Sequence, residues 1–354
     1  MRIVLLNPYH YPYMGGIEYR LHEVAKRLSD KHEMIVLTSR LADTPAEEER
    51  DGYRIIRLPS KFYGSYNPPY VTTPGVLEAL EGLDPDVVDF HYRWAPSYTK
   101  AIRRYGGRWT FTFHNTYGEG EGLGRLVSMV NDSLFCRHIR NHRVICITEF
   151  IKRDLIARRF RPEMLDVAPP GIDMAEGEPR EGDHILFVGR LVGTKGLPYL
   201  IKAMSDVDGR LVIVGDGPER DRLRSLARSA GVAGKVEFTG WVSPERKEEL
   251  LSSCKVFCMP SLFESYGMAV AEAMTWGRPV VASRIGGLPE VVGNAGTLVP
   301  PRDSRALADA LTTMLSDDAF RHACSAEARR HILRFSWPAV LKDLEAVYAR
   351  VAEE

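Results

Sequence analysis

Cysteine is scarce in this chain. Only five of 354 residues are Cys, namely Cys136, Cys146, Cys254, Cys258 and Cys324. An odd, scattered set of thiols excludes a disulfide framework and fits a reducing compartment. Cys254 and Cys258 flank an apolar run, but two thiols without nearby partners make no metal site. Net charge is missing too: 47 Lys plus Arg balance 47 Asp plus Glu, so no global field draws the chain to nucleic acid. No apolar run approaches the roughly 20 residues of a membrane span. The apolar opening, residues 2–6, is too short for a signal peptide and reads as a first strand. A cytoplasmic protein is expected. Two phosphate-loop patterns are also lacking. There is no G-x-x-x-x-G-K-[ST] and no complete G-x-G-x-x-G, which argues against ATP hydrolysis and nicotinamide cofactors.

What is present is an alternation. Apolar runs at residues 2–6, 34–38, 53–58, 87–90, 109–113 and 144–147 are separated by helical or loop stretches. Such runs are typical of strands buried on both faces of a parallel sheet. A second series follows at 185–188, 211–214, 236–239, 256–259, 279–282 and 297–299. Between the two series, residues 175–183 hold Glu, Gly and Pro without apolar periodicity and read as a linker. The expectation is an α/β chain of two domains, 1–174 and 175–336. An amphipathic helix over 337–354 ends it, with Val340, Leu341, Leu344, Val347, Tyr348 and Val351 along one side.

The chemistry-bearing residues cluster where strands end. Residues 260–283, PSLFESYGMAVAEAMTWGRPVVAS, read as turn, helix and strand, with Gly277 and Pro279 stopping the helix. Glu264 and Glu272 lie eight positions apart in this otherwise apolar segment. Buried carboxylates need partners, and a polyhydroxylated ligand over the helix start would supply them. The helix start near Gly267 and Met268 suits a phosphate. The bland reading is a surface Glu and a helix-face Glu without a role. Gly189-Arg190-Leu191-Val192-Gly193-Thr194-Lys195-Gly196 follows a strand and places Arg190 and Lys195 on one glycine-rich loop, a diphosphate clamp. Gly15 and Gly16 sit between the first strand and a helix with Ile17, Leu21, Val24 and Leu28 on one face. They serve either phosphate approach or a tight turn. His114 and His91 each end a strand, where ligands of parallel sheets gather. A lone His is more often structural. Asp84-Pro85-Asp86 reads as a turn, and Glu290 as structural. The basic run 137–161 (Arg137, Arg140, Arg143, Lys152, Arg153, Arg158, Arg159, Arg161) is either a solvated face or a patch for a phosphate-bearing lipid or anionic membrane.

Glu264-x7-Glu272, continued by Ala-Met-x-x-Gly-x-Pro-Val over 273–280, resembles the signature of the retaining glycosyltransferases of family 4, relatives of bacterial glycogen synthases. Companion segments in the same order extend the resemblance over nearly the whole chain: Gly15-Gly16, Phe113-His114, residues 148–155, residues 167–173, the Arg190–Lys195 loop, Gly240-Trp241-Val242 and residues 286–290. The resemblance implies the GT-B architecture, two facing Rossmann-like domains with a deep interdomain cleft, the last helix crossing back onto the first domain. It implies a nucleotide diphosphate sugar as donor, a glycan or lipid-linked acceptor, no cofactor and no metal. Arg190 and Lys195 would hold the diphosphate, Glu264 the sugar hydroxyls and Glu272 the ribose. His114 would meet the sugar's reactive end. Gly15, Gly16, Gly189, Ser265, Tyr266, Gly267 and Met268 would line the donor site, with Trp241 and Val242 by the base, read mainly through backbone groups. His91 is held as a weaker acceptor contact. Peripheral contact with the inner membrane face through 137–161 stays open. An epimerase or phosphorylase on the same scaffold, and a non-catalytic sugar-nucleotide binder, remain alternatives.

Overall fold

The computed structural model describes residues 1–64, 69–115, 122–180 and 182–354, without the side chains of 122–128. The chain divides into two units, Met1–Pro170 with Val340–Glu354, and Gly171–Ala339.

The first unit carries β1 (Arg2–Leu6), β2 (Glu33–Ser39), β3 (Glu47–Arg50), β4 (Tyr53–Leu58), β5 (Lys61–Tyr63), β6 (Tyr70–Thr72), β7 (Val87–Phe90), β8 (Trp109–Phe113), β9 (Val144–Cys146) and β10 (Leu165–Val167). Eight of these make one sheet in the order β10-β9-β8-β7-β1-β2-β4-β3, and β5 pairs with β6 apart from it. All pairs in the large sheet are parallel except β3 with β4. Ile3, Val4, Leu5, Val36, Val88 and Phe111 are fully buried, as expected for a sheet covered on both faces. β3 was illegible in the sequence because Glu47-Glu48-Glu49-Arg50 has no apolar alternation. It forms as an edge strand, where Arg57 and Arg54 of β4 meet Glu48 and Glu47.

The second unit holds β11 (His184–Val188), β12 (Arg210–Val214), β13 (Val236–Gly240), β14 (Val256–Met259), β15 (Val280–Ser283) and β16 (Gly296–Val299). They form one parallel sheet in the order β13-β12-β11-β14-β15-β16.

Both sheets are wound the same way. From β1 the chain moves outward through β2, then returns to β7 on the other side of β1. From β11 it moves out through β12 and β13, then returns to β14 beside β11. The order of strands therefore reverses beside β1 and beside β11. Loops leaving neighbouring strands at such a point diverge and open a crevice at the carboxyl ends, where ligands bind.

The crossing between units lies earlier than the linker read from composition. The boundary falls at Pro170 and Gly171, inside the segment 167–173. The stretch 175–183, apart from Glu181, which lies outside the described residues, belongs to the second unit. Arg180 donates its amide to Ser252 O at 2.8 Å and accepts from Arg278 Nη2 at 3.0 Å. These bonds give a segment without apolar periodicity a fixed place. The last helix, Trp337–Glu353, continues into the first unit. There Glu345 meets Lys31 and His32, and Arg350 meets Asp166.

Candidate active site

In the second unit, the reversal point between β11 and β14 gathers the residues singled out from sequence. Lys195 Nζ lies 2.6 Å from Glu264 Oε2. Lys247 Nζ lies 3.0 Å from Glu272 Oε1. All four side chains are between 16% and 30% exposed, so their charged ends reach water at the rim while their stems are covered. Each carboxylate thus has a lysine as partner, which corrects the expectation that a ligand alone would supply it. Lys247 was not legible as a site residue. It sits among Glu and Arg on the helix Pro244–Ser253, in a run that reads as an ordinary solvated face.

The backbone around these pairs is built by close approach. Leu262 and Phe263 donate their amides to Thr194 O at 2.7 and 3.3 Å, tying the loop after β11 to the loop after β14. Gly196 has φ +65°, and a Cβ there would stand 2.0 Å from Pro260 O. Gly286 has φ +56°, and its Cβ would stand 1.8 Å from Glu264 O. Only glycine lets these loops touch. Gly267, at φ +108°, caps the helix Met268–Thr275 with no side-chain bond to its first amides. Val270 and Ala271 donate to Gly267 O at 2.9 and 3.1 Å, so the amides of Met268 and Ala269 are the donors the helix itself does not use, at the positive end of its dipole. A cavity of about 220 Å³ at the ends of β11 and β12 is lined by Gly189, Arg190, Gly215, Trp241, Val242 and Lys247. Arg190 is exposed, and so is Trp241, at 74%. Ser265 stands half-buried between Glu264 and Gly267. Tyr266 turns its side chain away from the loop surface. Its ring is buried against Phe335, centroids 5.8 Å apart, so any part it takes in donor binding falls to its main chain.

The first unit holds the other candidates, at the reversal point beside β1. Gly15 precedes the helix Gly16–Leu28, and its amide donates to Glu18 Oε2 at 3.0 Å. Glu18 also accepts from Asn7 Nδ2 at 3.2 Å, and burial raises its pKa despite these bonds. The Gly15 turn is therefore closed from one side only, by the Glu18 carboxylate on the Gly15 amide. His91 ends β7 and His114 ends β8. Their rings meet, His91 Nδ1 to His114 Nε2 at 2.9 Å. Burial lowers the pKa of both imidazoles well below the ordinary value, and Arg20 pushes each the same way. Neither ring holds a positive charge. His91 is thus tied to His114 and only 5% exposed, which leaves little surface for acceptor contact. Asp89, beside them, was not flagged in the sequence because it lies inside an apolar run.

Two arginines of the basic run are held in ion pairs. Arg143 pairs with Asp166 and Glu354, and Arg158 with Asp154. Asp86 accepts the amide of Arg2 at 2.7 Å, and Asp84 caps a helix in the left-handed region, so this turn is structural. The five cysteines are buried and free. Among the described residues no group of three or more His, Cys, Asp or Glu is placed to hold a metal, and no helix is long and apolar enough to cross a membrane.

With this geometry in view, the chain can be set beside known proteins. The family model described as Glycosyl transferases group 1 matches residues 172–331, and that described as Glycosyltransferase Family 4 matches 14–176. A phosphatidyl-myo-inositol mannosyltransferase of Mycolicibacterium smegmatis is 31% identical over 99% of this chain and 94% of its own. Among solved structures, sucrose-phosphate synthase from Thermosynechococcus elongatus superposes with a TM-score of 0.79 at 21% identity, covering 99% of this chain and 98% of that one. Anabaena HepE in complex with UDP gives 0.78 at 20% identity, over 99% and 100% of the two chains. These structures share the two-domain GT-B fold. The paired sheets, the glycine-bound loops at their reversal points and a whole-length relative agree: the chain belongs to the family 4 glycosyltransferases.

Proposed function

We propose that this glycosyltransferase moves a hexose from a UDP- or GDP-sugar to a hydroxyl of a glycan, lipid or small-molecule acceptor, with retained configuration and without a metal ion. One observation carries the reading. Lys195 and Arg190 on the loop after β11, and the helix start at Gly267–Met268 after β14, stand at the carboxyl ends of two neighbouring strands together with two lysine-paired carboxylates.

The chemical problem is charge. As the bond from the anomeric carbon to phosphate oxygen breaks, negative charge grows on the diphosphate and the sugar turns cation-like. Lys195 and Arg190 lie where they can neutralise the first, and the helix start adds its dipole. Glu264 holds Lys195 in place before the donor arrives, so little reorganisation is needed. Its second oxygen serves a sugar hydroxyl. Glu272, steadied by Lys247, takes the ribose hydroxyls, and the cavity by Trp241 and Val242 takes the base. The acceptor hydroxyl attacks on the face the phosphate leaves. Its oxygen bonds to the anomeric carbon while its proton passes to the departing phosphate oxygen. His114 attends the sugar's reactive end. The UDP in the HepE structure and the mannosyl and inositol chemistry in the mycobacterial relative's name make UDP-glucose and GDP-mannose the first donors to test, with inositol-bearing lipids as acceptors.

A thermal-shift panel of nucleotide sugars identifies the donor, because a bound ligand stabilises by mass action. Lys195→Ala is expected to lower kcat about 10²–10³-fold and weaken donor binding. Near-normal turnover would remove the clamp. Activity is expected to survive EDTA, and strict dependence on added metal would overturn the metal-free reading.

A further inference from the structure

We propose that Asp89, His91 and Tyr348 are positioning residues that fix the tautomer of His114, so that its Nε2 carries the hydrogen and its Nδ1 is left as an acceptor. The consequence for turnover rests on the reading of His114 as a donor-sugar contact. The tautomer itself does not.

Tyr348 from the last helix, Asp89 and His91 from β7 and its end, and His114 from the end of β8 form one buried line, with Thr112 of β8 beside it. Tyr348, on the last helix, donates its hydroxyl to Asp89 Oδ2 at 2.7 Å. Thr112 of β8 donates to Asp89 Oδ1 at 2.7 Å. His91 Nε2 lies 3.3 Å from Asp89 Oδ2, a close electrostatic contact rather than an aligned hydrogen bond. His91 Nδ1 and His114 Nε2 are 2.9 Å apart. Asp89 is 1% exposed, Tyr348 0%, His91 5% and His114 8%.

The hydrogens follow from these contacts. A carboxylate that accepts two hydroxyls is satisfied as the anion. Facing it, His91 puts its one hydrogen on Nε2. His91 Nδ1 is then a lone pair and must accept, so His114 Nε2 must donate. His114 Nδ1 is the nitrogen left over. The other charged groups around the line are Arg20, which acts on Asp89, His91 and His114, and Arg93, which acts on His114. Both cations oppose a charged imidazole, so both rings stay neutral. A single added proton reverses the whole line. It enters at His114 Nδ1, the Nε2 hydrogen passes to His91 Nδ1, and the His91 Nε2 hydrogen passes to Asp89. Three hydrogens then occupy Asp89, His91 Nδ1 and His114 Nδ1, and no imidazole is charged. Asp89, which burial raises to about 6, is the group that admits this proton near neutrality.

The test is NMR on the full chain labelled with ¹⁵N-histidine, without ligand. At pH 8, His114 is expected as the Nε2–H tautomer, switching to Nδ1–H as pH falls through about 6. Tyr348→Phe removes a hydrogen bond to the anion and is expected to raise that midpoint by about one to two pH units. A wild-type His114 in the Nδ1–H form at pH 8, or a midpoint that Tyr348→Phe does not move, overturns the inference. In turnover of whichever of UDP-glucose or GDP-mannose is the donor, His91→Phe is expected to lower kcat about tenfold or more with little change in donor KM. Unchanged kcat in His91→Phe, with kcat lost in His114→Ala, would overturn the positioning role. His114→Ala separates the two readings: if it leaves kcat intact, the donor-sugar role fails whatever the spectrum shows.

Discussion

His10, His91 and His114 are kept neutral by burial, and His10 is lowered to about 3. In the unfolded chain each would take a proton near pH 6.5. Below that pH the unfolded state binds more protons than the folded one, so stability falls as pH drops, by up to about 1.4 kcal/mol per pH unit for each group. Asp89 acts the other way. Its folded pKa, about 6, is above the ordinary value of 3.8, so between the two the folded state holds the extra proton and stability falls as pH rises. Three imidazoles against one carboxyl leave a net loss on acidification. Tm is expected to be lower at pH 5 than at pH 7, and His10→Gln, which keeps a polar partner for Tyr53, should shrink that gap. Equal gaps in the two proteins would show that His10 titrates elsewhere. In the proposed donor site, Glu272→Ala would remove the ribose's charged partner and is expected to raise donor KM roughly 10–100-fold. An unchanged KM would take Glu272 out of the site.

The loops after β11 and β14, where the donor is proposed to bind, are shaped by glycines of opposite tolerance. In the turn Gly193–Lys195 and its flank, Gly193 has open space around its Cβ position, whereas Gly196 has φ +65° and Pro260 O in the way. Gly193→Ala is expected to change stability by less than about 0.5 kcal/mol. Gly196→Ala should cost more than about 1–2 kcal/mol for the left-handed backbone alone, and should loosen the contact that aligns Lys195 with Glu264. Urea unfolding of both variants checks this, and similar midpoints would mean that the two loops are not in fact held together.

The chain runs from one unit to the other and back, and its last stretch is part of the unit where it began. Val340, Leu344, Val347, Tyr348 and Val351 are at most 2% exposed. At about 1.5–3 kcal/mol for each large apolar side chain, their burial rivals the whole stability of a domain, about 5–15 kcal/mol. A chain ending at residue 339 is therefore expected to lose cooperative folding of the first unit. Limited proteolysis should cut within residues 1–170, and full protection there would refute the point. Much of this molecule is legible along its length. Continuous apolar runs such as Arg2–Leu6 and Val256–Met259 mark buried parallel strands because period and burial are local properties. Glu264, Arg190, Lys195 and His114 stand out because charged or titratable groups after strand ends are visible against an apolar background, and Glu272 because it is the one charge in an apolar helix. Partnership is not local. Lys247 looks like any exposed lysine until its helix brings it to Glu272. Asp89 hides in an apolar run until Tyr348, 259 positions away, reaches it. The sequence determined the apolar central strands, their order along the chain and the charged groups that can meet a phosphate, but not the edge strands β3 and β10 or the separate pair β5 and β6. The tertiary structure alone decided which groups face one another, because hydrogen bonds and ion pairs depend on distances that the order of residues does not contain.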